Sequence, residues 1–524
     1  MPQPDILARI TAGRRERIAV EGAALGVEVP QERRTPLRPF LAAPEIICEI
    51  KRRSPSAGSI AEIRDPVAQA GEYQTRGVPS VSVLTEEDHF GGSLKDLMAV
   101  KNAYPELSVL RKDFLFDSRD VELSYRAGAD ALLLIAAILS AEAVGEILAA
   151  AEGLGLAVLA EAHDERDLEK LRPHRLALLG VNSRDLTTFR VDPLTPLGVV
   201  ANVDWPCRMV FESGIYEAED VQNALGGGFH GILVGESVVR SPERIPRLIE
   251  AIEESYHREP EASGVGGSGE RFWNYVAGHP ARARSAPTSS TGSATTALRR
   301  PLVKVCGIAR EEDARLAVEL GAQMLGFIIA DSPRELPEER LRELLRRLAG
   351  EAESGSRKGG AIGVPCIGVL VARRGGELDE RRLGFARSLL SEGLITAIQL
   401  HGDERPEECA SIGMPYYKAV RPRSPEELEA AGRFRSPRIL LDGYAAARYG
   451  GTGTSVAEEI VDRWRQTHIL WLAGGFTAEN VAERILRFEP ELIDVASGVE
   501  ASPGEKSPEK LNRLFEEIEY ATRG

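Results

Sequence analysis

Sixteen short apolar runs, falling into two sets of eight, restrict this chain more than any other feature of its sequence. The first set occupies residues 46–50, 81–84, 108–111, 131–135, 157–161, 177–182, 208–212 and 231–235. The second occupies 302–306, 324–329, 366–371, 397–401, 416–420, 438–442, 468–475 and 492–498. Segments of helical periodicity, such as SPERIPRLIEAIEES, separate most of them. Continuous apolar strands alternating with helices require a parallel sheet covered on both faces, and eight such units close into a barrel. The expected fold is therefore α/β, two tandem (β/α)8 barrels.

The stretch from His257 to Arg300 divides the two sets. It is dense in Gly, Ser, Thr, Ala and Pro, and outside one aromatic island, Phe272 to Tyr275, it lacks apolar residues at helical or strand spacing. Such composition offers little burial to offset the entropy of ordering, so a flexible linker is expected over 258–300, between domains 1–257 and 301–524. Whether the island docks on a barrel is open at this point. A second low-complexity piece, 350–363, reads as a surface loop. An amphipathic helix is expected at the start, around Leu7 to Val20.

Composition excludes several functions. A net charge of −15 over 524 residues disfavours nucleic-acid binding. No apolar run is long enough for a bilayer, and the charged N-terminus lacks the form of an export signal, so the cytosol is expected and no membrane partner. Five scattered cysteines show no CxxC spacing, which argues against both a disulfide framework and a metal site.

In a (β/α)8 barrel, chemistry sits at the C-terminal ends of the strands, and in the first half polar groups gather there. Glu49 and Lys51 alternate on the first strand, so both side chains point toward the mouth. Lys112 follows the third run, Glu161 closes the fifth, Asn182 the sixth, and Glu212 with Ser213 the seventh. Inward charges on so many strands are hard to explain structurally, because uncompensated ones cost several kcal/mol. A lysine beside carboxylates in a closed mouth suits acid–base work. Gly214, and Gly235 to Ser237, leave backbone N–H groups free to approach an anion where this fold commonly holds phosphate. Glu236 interrupts that cradle, and its carboxylate is expected to turn outward.

The motifs EIKRRSPSAG (49–58), VLTEEDHFGGS (83–93), VLRKDF (109–114), GVNSRDLTTF (180–189) and FESGI (211–215) resemble indole-3-glycerol-phosphate synthase across nearly the whole first half. The resemblance implies closure of a ring on a phosphorylated, anthranilate-bearing deoxyribulose, with loss of carbon dioxide and then water. It makes Lys112 the general acid, Glu161 the general base and Lys51 a second lysine that positions or protonates substrate. Glu49, Asn182 and Glu212 become the polar groups around them, Arg184 and Ser213 substrate contacts, and Phe90, Phe114 and Leu186 the anthranilate pocket.

In the second half, Cys306 lies at the end of the first run and Asp442 at the end of the sixth. Together they form a separated base and acid, provided positive charge or a helix N-terminus lowers the thiol's pKa. Lys304 is near in sequence, without proof of contact. Gly474 and Gly475, then Ser497 and Gly498, fall where phosphate would sit, and GGTG (450–453) reads as a loop. VKVCGI, SPR (332–334), QLHGDE (399–404), LLDGYAAARYGGTG, LAGGFTAENV and DVASGVEASPG closely resemble phosphoribosylanthranilate isomerase along almost this entire half. The resemblance implies an Amadori rearrangement with Cys306 as general base and Asp442 as general acid. It makes Arg334 the partner of the anthranilate carboxylate, Asp494 a sugar-hydroxyl contact, and Gly474, Gly475, Ser497 and Gly498 the phosphate cradle. Gly443 stands where that family often has Thr.

The product of the second reaction is the substrate of the first, so the resemblances imply consecutive steps of tryptophan biosynthesis. The expected ligands are phosphorylated anthranilate sugars, with no cofactor. Each barrel is expected to keep its own complete mouth and to work without channelling. The competing readings are that one barrel is a degenerate phosphate-binding or regulatory module, or that it acts on a different phosphosugar.

Overall fold

The computed structural model describes residues 6–54, 58–59, 65–185, 190–257, 266–279, 299–350, 362–372, 378–443 and 455–523. The chain forms two compact units, Met1–Glu259 and Pro260–Gly524. Most of the 350–363 loop, together with the GGTG cluster and Leu186, lies outside the described residues.

In the first unit the strands are β1 (Glu45–Ile50), β2 (Ser80–Leu84), β3 (Ser108–Lys112), β4 (Ala131–Ile135), β5 (Ala157–Ala162), β6 (Leu178–Asn182), β7 (Arg208–Glu212) and β8 (Gly231–Val234). They form a closed barrel, sealed where β1 runs parallel to β8 with Glu45 opposite Gly231. Every residue of β4, ALLLI, is buried, as a strand covered on both faces requires. Helices begin at side-chain caps, Asp117 to Arg119 N and Ser140 to Ala143 N among them. The helices before β4 and β5 end on Gly128 and Gly155, whose φ of +100° and +70° turn the chain back toward the sheet. The opening helix, Ile6–Glu21, buries Ile10 against Phe114 and Phe116. Its Arg14 pairs with Asp113 at 2.5 Å, and its Arg17 pairs with Glu87 at 2.7 Å. The helix is thus tied to the loops after β2 and β3, at the C-terminal ends of the strands.

The second unit repeats the design with β9 (Leu302–Cys306), β10 (Met324–Ile328), β11 (Cys366–Leu370), β12 (Ala397–Leu400), β13 (Tyr416–Val420), β14 (Ile439–Leu441), β15 (Trp471–Ala473) and β16 (Leu492–Val495). β9 closes on β16, Leu302 opposite Leu492. Alternation sorts the side chains: Val303 and Val305 join the apolar layer beneath the helices, while Lys304 reaches Gln399 and Asp494 across the barrel interior. Among the described residues no helix is long and apolar enough to cross a membrane.

The expected linker is not a tether throughout. Gly266–Gly278 is a helix belonging to the second unit, with Phe272, Trp273, Val276 and Ala277 buried. Their spacing is a helical stripe that the surrounding Gly and Ser obscured. Phe272 stacks on Tyr417, centroids 6.0 Å apart and planes 15° from parallel, and Trp273 lies 6.2 Å from Trp471. Tyr417 and Trp471 lie at the N-terminal ends of β13 and β15, so the helix covers the end of the barrel opposite the C-terminal ends of its strands.

Candidate active sites of the two barrels

Inward polar residues at the mouth of the first barrel come from five strands or their ends. Glu49, next to last in β1, is buried, and its Oε1 lies 2.5 Å from the Nζ of Lys51, on the face that their alternation shares. Lys112, at the end of β3, donates to Glu212 Oε2 at 2.9 Å and lies 3.6 Å from Glu49 Oε2. Burial works to lower the Lys112 ammonium, but Glu212, Glu49 and Glu161 together raise it above its ordinary value. Glu49 is opposed by burial too, yet Lys51 and Lys112 hold its carboxyl below the usual range. Glu212 goes the other way: burial and Glu161 push it up to about 7 despite Lys112, and its Oε1 has no hydrogen-bond partner. The inward charges are therefore compensated chiefly by one another.

Glu161 on β5 is buried, 3.4 Å from the Nδ2 of Asn182. Asn182 in turn accepts from the backbone of Arg184 through Oδ1 at 3.0 Å, which orients its amide toward Glu161. Phe90 and Phe114 form a tilted aromatic pair, centroids 6.5 Å apart, beside the opening helix. A Cβ on Gly180 would lie 2.2 Å from Glu212 Oε1, so glycine there makes room for the carboxylate.

The two barrels end their seventh strands in the same way. Ser213 and Gly214 have φ of +67° and +81°, and Gly474 and Gly475 have +83° and +67°. The turns after the eighth strands also match, with Gly235 at φ −113°, ψ −95° and Ala496 at φ −129°, ψ −85°. Each turn leads into a short helical segment, Glu236–Arg240 or Ser497–Val499. Ser237 donates its hydroxyl to Ile215 O at 2.9 Å, while Glu236 pairs with Arg240 at 3.0 Å. A Cβ on Gly498 would lie 1.9 Å from Phe476 O, so only glycine allows this approach.

In the second mouth, Cys306 ends β9 buried. Burial pushes its thiol up, and the Lys304 ammonium pulls it back. Lys304 donates to Asp494 Oδ2 at 2.6 Å and to Gln399 Oε1 at 2.7 Å. The other Asp494 oxygen is buried without a hydrogen-bond partner. Gln399 Nε2 lies 3.0 Å from His401 Nδ1, and His401 Nε2 lies 3.0 Å from Asp442 Oδ2. Because the Gln399 oxygen already accepts, its amide nitrogen faces the imidazole, and His401 Nε2 stands at ion-pair distance from Asp442 without a hydrogen bond in this geometry. A chain of polar groups thus joins Cys306 to Asp442 through the barrel. The backbone N–H of Gly443 donates to Asp442 Oδ1 at 2.8 Å. Arg334 is engaged by a protein carboxylate: its Nε and Nη2 each donate to Glu500 at 2.8 Å. Glu500 also accepts from Lys506 at 2.9 Å.

Several of these groups carried no role in the sequence reading. His163, two residues beyond Glu161, has its Nε2 3.2 Å from Glu161 Oε1 and its Nδ1 3.5 Å from Asp167 Oδ2. Gln399 and His401 obey the same alternation that singles out Glu49 and Lys51, and that signal was available in QLHGDE.

Fold and sites define the class: a tandem pair of (β/α)8 enzymes, each with an acid–base set at its mouth. A model described as indole-3-glycerol phosphate synthase matches residues 7–248, and one described as N-(5'phosphoribosyl)anthranilate (PRA) isomerase matches 386–517. The synthase of Desulfotalea psychrophila is 40% identical over 245 residues, covering 45% of this chain and 94% of its own length. A tryptophan biosynthesis protein of Phytophthora nicotianae is 28% identical over 518 residues, covering 88% of this chain and 89% of its own. Phosphoribosyl anthranilate isomerase of Thermus thermophilus, a solved structure, is 34% identical, covering 42% of this chain and 98% of its own, with a TM-score of 0.34. The chain belongs to the indole-3-glycerol phosphate synthase family in its first half and to the PRA isomerase family in its second. It is a bifunctional enzyme of tryptophan biosynthesis, a decarboxylating lyase joined to an isomerase.

Proposed function

We propose that the second barrel isomerises N-(5-phosphoribosyl)anthranilate to the 1-(2-carboxyphenylamino)-deoxyribulose phosphate, and that the first converts this product to indole-3-glycerol phosphate, through the following residues. In the isomerase Asp442 gives a proton to the ring oxygen as the C–O bond breaks, and Cys306 takes the proton from the adjacent carbon. Asp494 turns its free oxygen to a sugar hydroxyl, and the remaining guanidinium edge of Arg334 meets the anthranilate carboxylate. Gly474, Gly475, Ser497 and Gly498 present backbone N–H groups to the phosphate.

In the synthase Lys112 is the acid, protonating the carbonyl oxygen as the aromatic carbon closes on its carbon; carbon dioxide then leaves from the anthranilate carboxylate. The resulting hydroxyl takes a second proton from the lysine pair and departs as water, while Glu161 collects the proton released as the new ring is completed. Lys51 positions substrate beside Glu49, Glu49 and Glu212 hold Lys112 in place, and Asn182 orients Glu161. Arg184 and Ser213 contact substrate, Phe90, Phe114 and Leu186 line the anthranilate pocket, and Gly214, Gly235 and Ser237 supply the phosphate cradle. The cytosol is the proposed compartment, since a working thiol such as Cys306 stays reduced there.

The observation that carries this reading is the pairing of donor and acceptor in each mouth: Lys112 held cationic among Glu49, Glu161 and Glu212, and Cys306 linked to Asp442 by Lys304, Gln399 and His401. The test supplies the purified chain with N-(5-phosphoribosyl)anthranilate and follows both products. Cys306→Ala is expected to leave the substrate unchanged, whereas Glu161→Gln accumulates the deoxyribulose intermediate. Full conversion by either variant contradicts the assignment of its residue.

A further inference from the structure

We propose that the helix Gly266–Gly278 is a positioning element of the isomerase site: through the stacked rings of Phe272 and Tyr417 and the hydrogen bonds of Tyr417 and Lys304 to Gln399, it sets where the Lys304 ammonium stands beside Cys306. The inference rests on Cys306 being the isomerase base.

The path is continuous. Phe272 is wholly buried, 0% exposed, against the ring of Tyr417. The opposite constraint on that ring is Trp471, which meets it edge-on at 5.1 Å and 77° and is itself packed against Trp273. Two residues of one helix therefore hold the two aromatic rings that floor the barrel. Held this way, Tyr417 donates its hydroxyl to Gln399 Oε1 at 2.9 Å, the same oxygen that accepts from Lys304 at 2.7 Å. The amide end of Gln399 faces His401, and His401 faces Asp442. One phenol hydroxyl thus fixes the orientation of a side chain that touches Lys304 near the proposed base and His401 beside the proposed acid. Close-packed interiors transmit such displacements rather than absorb them.

Among the described residues the charged and titratable groups that face Cys306 are Lys304 on its own strand, Asp494 on β16, Tyr417 on β13, Lys506 on the short strand Glu505–Lys506 and Arg334 in the turn after β10. Lys506 is anchored by the Cys306 carbonyl at 2.7 Å and by Glu500, and Arg334 by Glu500. Lys304 is the cation whose placement depends on Gln399. Loss of the Phe272 ring lets Tyr417 shift, lets the Gln399 amide turn, and leaves Lys304 held by Asp494 alone. The thiolate then loses part of its stabilisation.

The full-length chain tests this with Phe272→Leu, which keeps apolar volume but not the stacked ring, and Tyr417→Phe, which keeps the ring but not the hydroxyl. Alkylation of Cys306 by iodoacetamide, read by peptide mass as a function of pH, reports the thiol directly. Both variants are expected to move the alkylation midpoint upward by about half a pH unit. Both are expected to lower isomerase kcat by about tenfold with a smaller change in KM, as sub-ångström misplacement does, while synthase turnover in the same chain stays at the wild-type level. Wild-type midpoint and kcat in both variants, whatever their melting temperatures, would overturn the proposal. Because the labelling reads the thiol and not turnover, a shifted midpoint supports the inference even if Cys306→Ala kept isomerase activity, a result that would overturn the assignment of the base instead.

Discussion

Lys112 on β3 and Glu212 on β7 meet at 2.9 Å across the full width of the first barrel, their strands lying opposite one another in the ring of eight. Glu212 is completely buried, and burial first, then Glu161, push its carboxyl up to about 7 from an ordinary 4.5 while Lys112 opposes. A carboxyl raised in the fold prefers to be protonated there. Its contribution to stability is fully present below about 4.5 and is lost as pH rises through 7. Relative to Glu212→Gln, the wild-type first barrel is expected to lose stability across that window, by an amount on the order of 3 kcal/mol. Denaturant melts of both proteins at pH 5 and pH 8 measure the change. The same substitution lowers synthase kcat by about tenfold, because Lys112 loses the partner that aims it.

The thiol of Cys306 is pushed above its ordinary 9.0 by burial, with Lys304 acting against that rise. With Cys306 as the proposed base, the thiolate is its reactive form, so the rate of Cys306 alkylation by iodoacetamide should climb with pH through neutrality, about tenfold per unit below the thiol's titration. No plateau is expected before pH 9. A pH profile of the labelling at constant ionic strength, read by peptide mass, decides it, and a plateau reached below pH 8 would contradict a thiol raised by burial.

His163 stands between Glu161 and Asp167. Burial acts to lower its imidazole, but Asp167, Glu161 and Glu212 together raise it above 6.5. The cationic form is the one the fold favours, so its stabilising effect is present below 6.5 and fades as pH rises through the higher folded value. Asp167→Asn should bring the titration of the His163 ring proton, followed by NMR, to lower pH and reduce synthase turnover in the alkaline range first. An unchanged titration would remove Asp167 from this account.

Most of the fold was legible because strands buried on both faces must be apolar throughout: the sixteen barrel strands fall on the apolar runs, with ends shifted by a few residues at most. The strand-end acids and bases were legible for a related reason, since Glu49 and Lys51 break such a run where only a mouth can take them. The link between Cys306 and Asp442 was not. It runs through Lys304, Gln399 and His401: alternation marks the last two as inward-facing, but their meeting with Lys304 and Asp442 depends on closure of the sheet, which no local pattern records. The helix at 266–278 was hidden for the opposite reason: its composition resembles a tether, and a stripe of four apolar residues outweighs composition only when a floor of aromatic rings is waiting for it.

The central claim is two self-sufficient active sites on one chain. Its most direct test mixes Cys306→Ala protein with Lys112→Ala protein in equal amounts and follows conversion of N-(5-phosphoribosyl)anthranilate to indole-3-glycerol phosphate. Each variant alone is expected to lose one reaction by at least about a hundredfold and keep the other at the wild-type rate, and the mixture to regain the two-step flux through the free intermediate. A mixture as inactive as either variant alone, or a single substitution that silences both reactions, would contradict it.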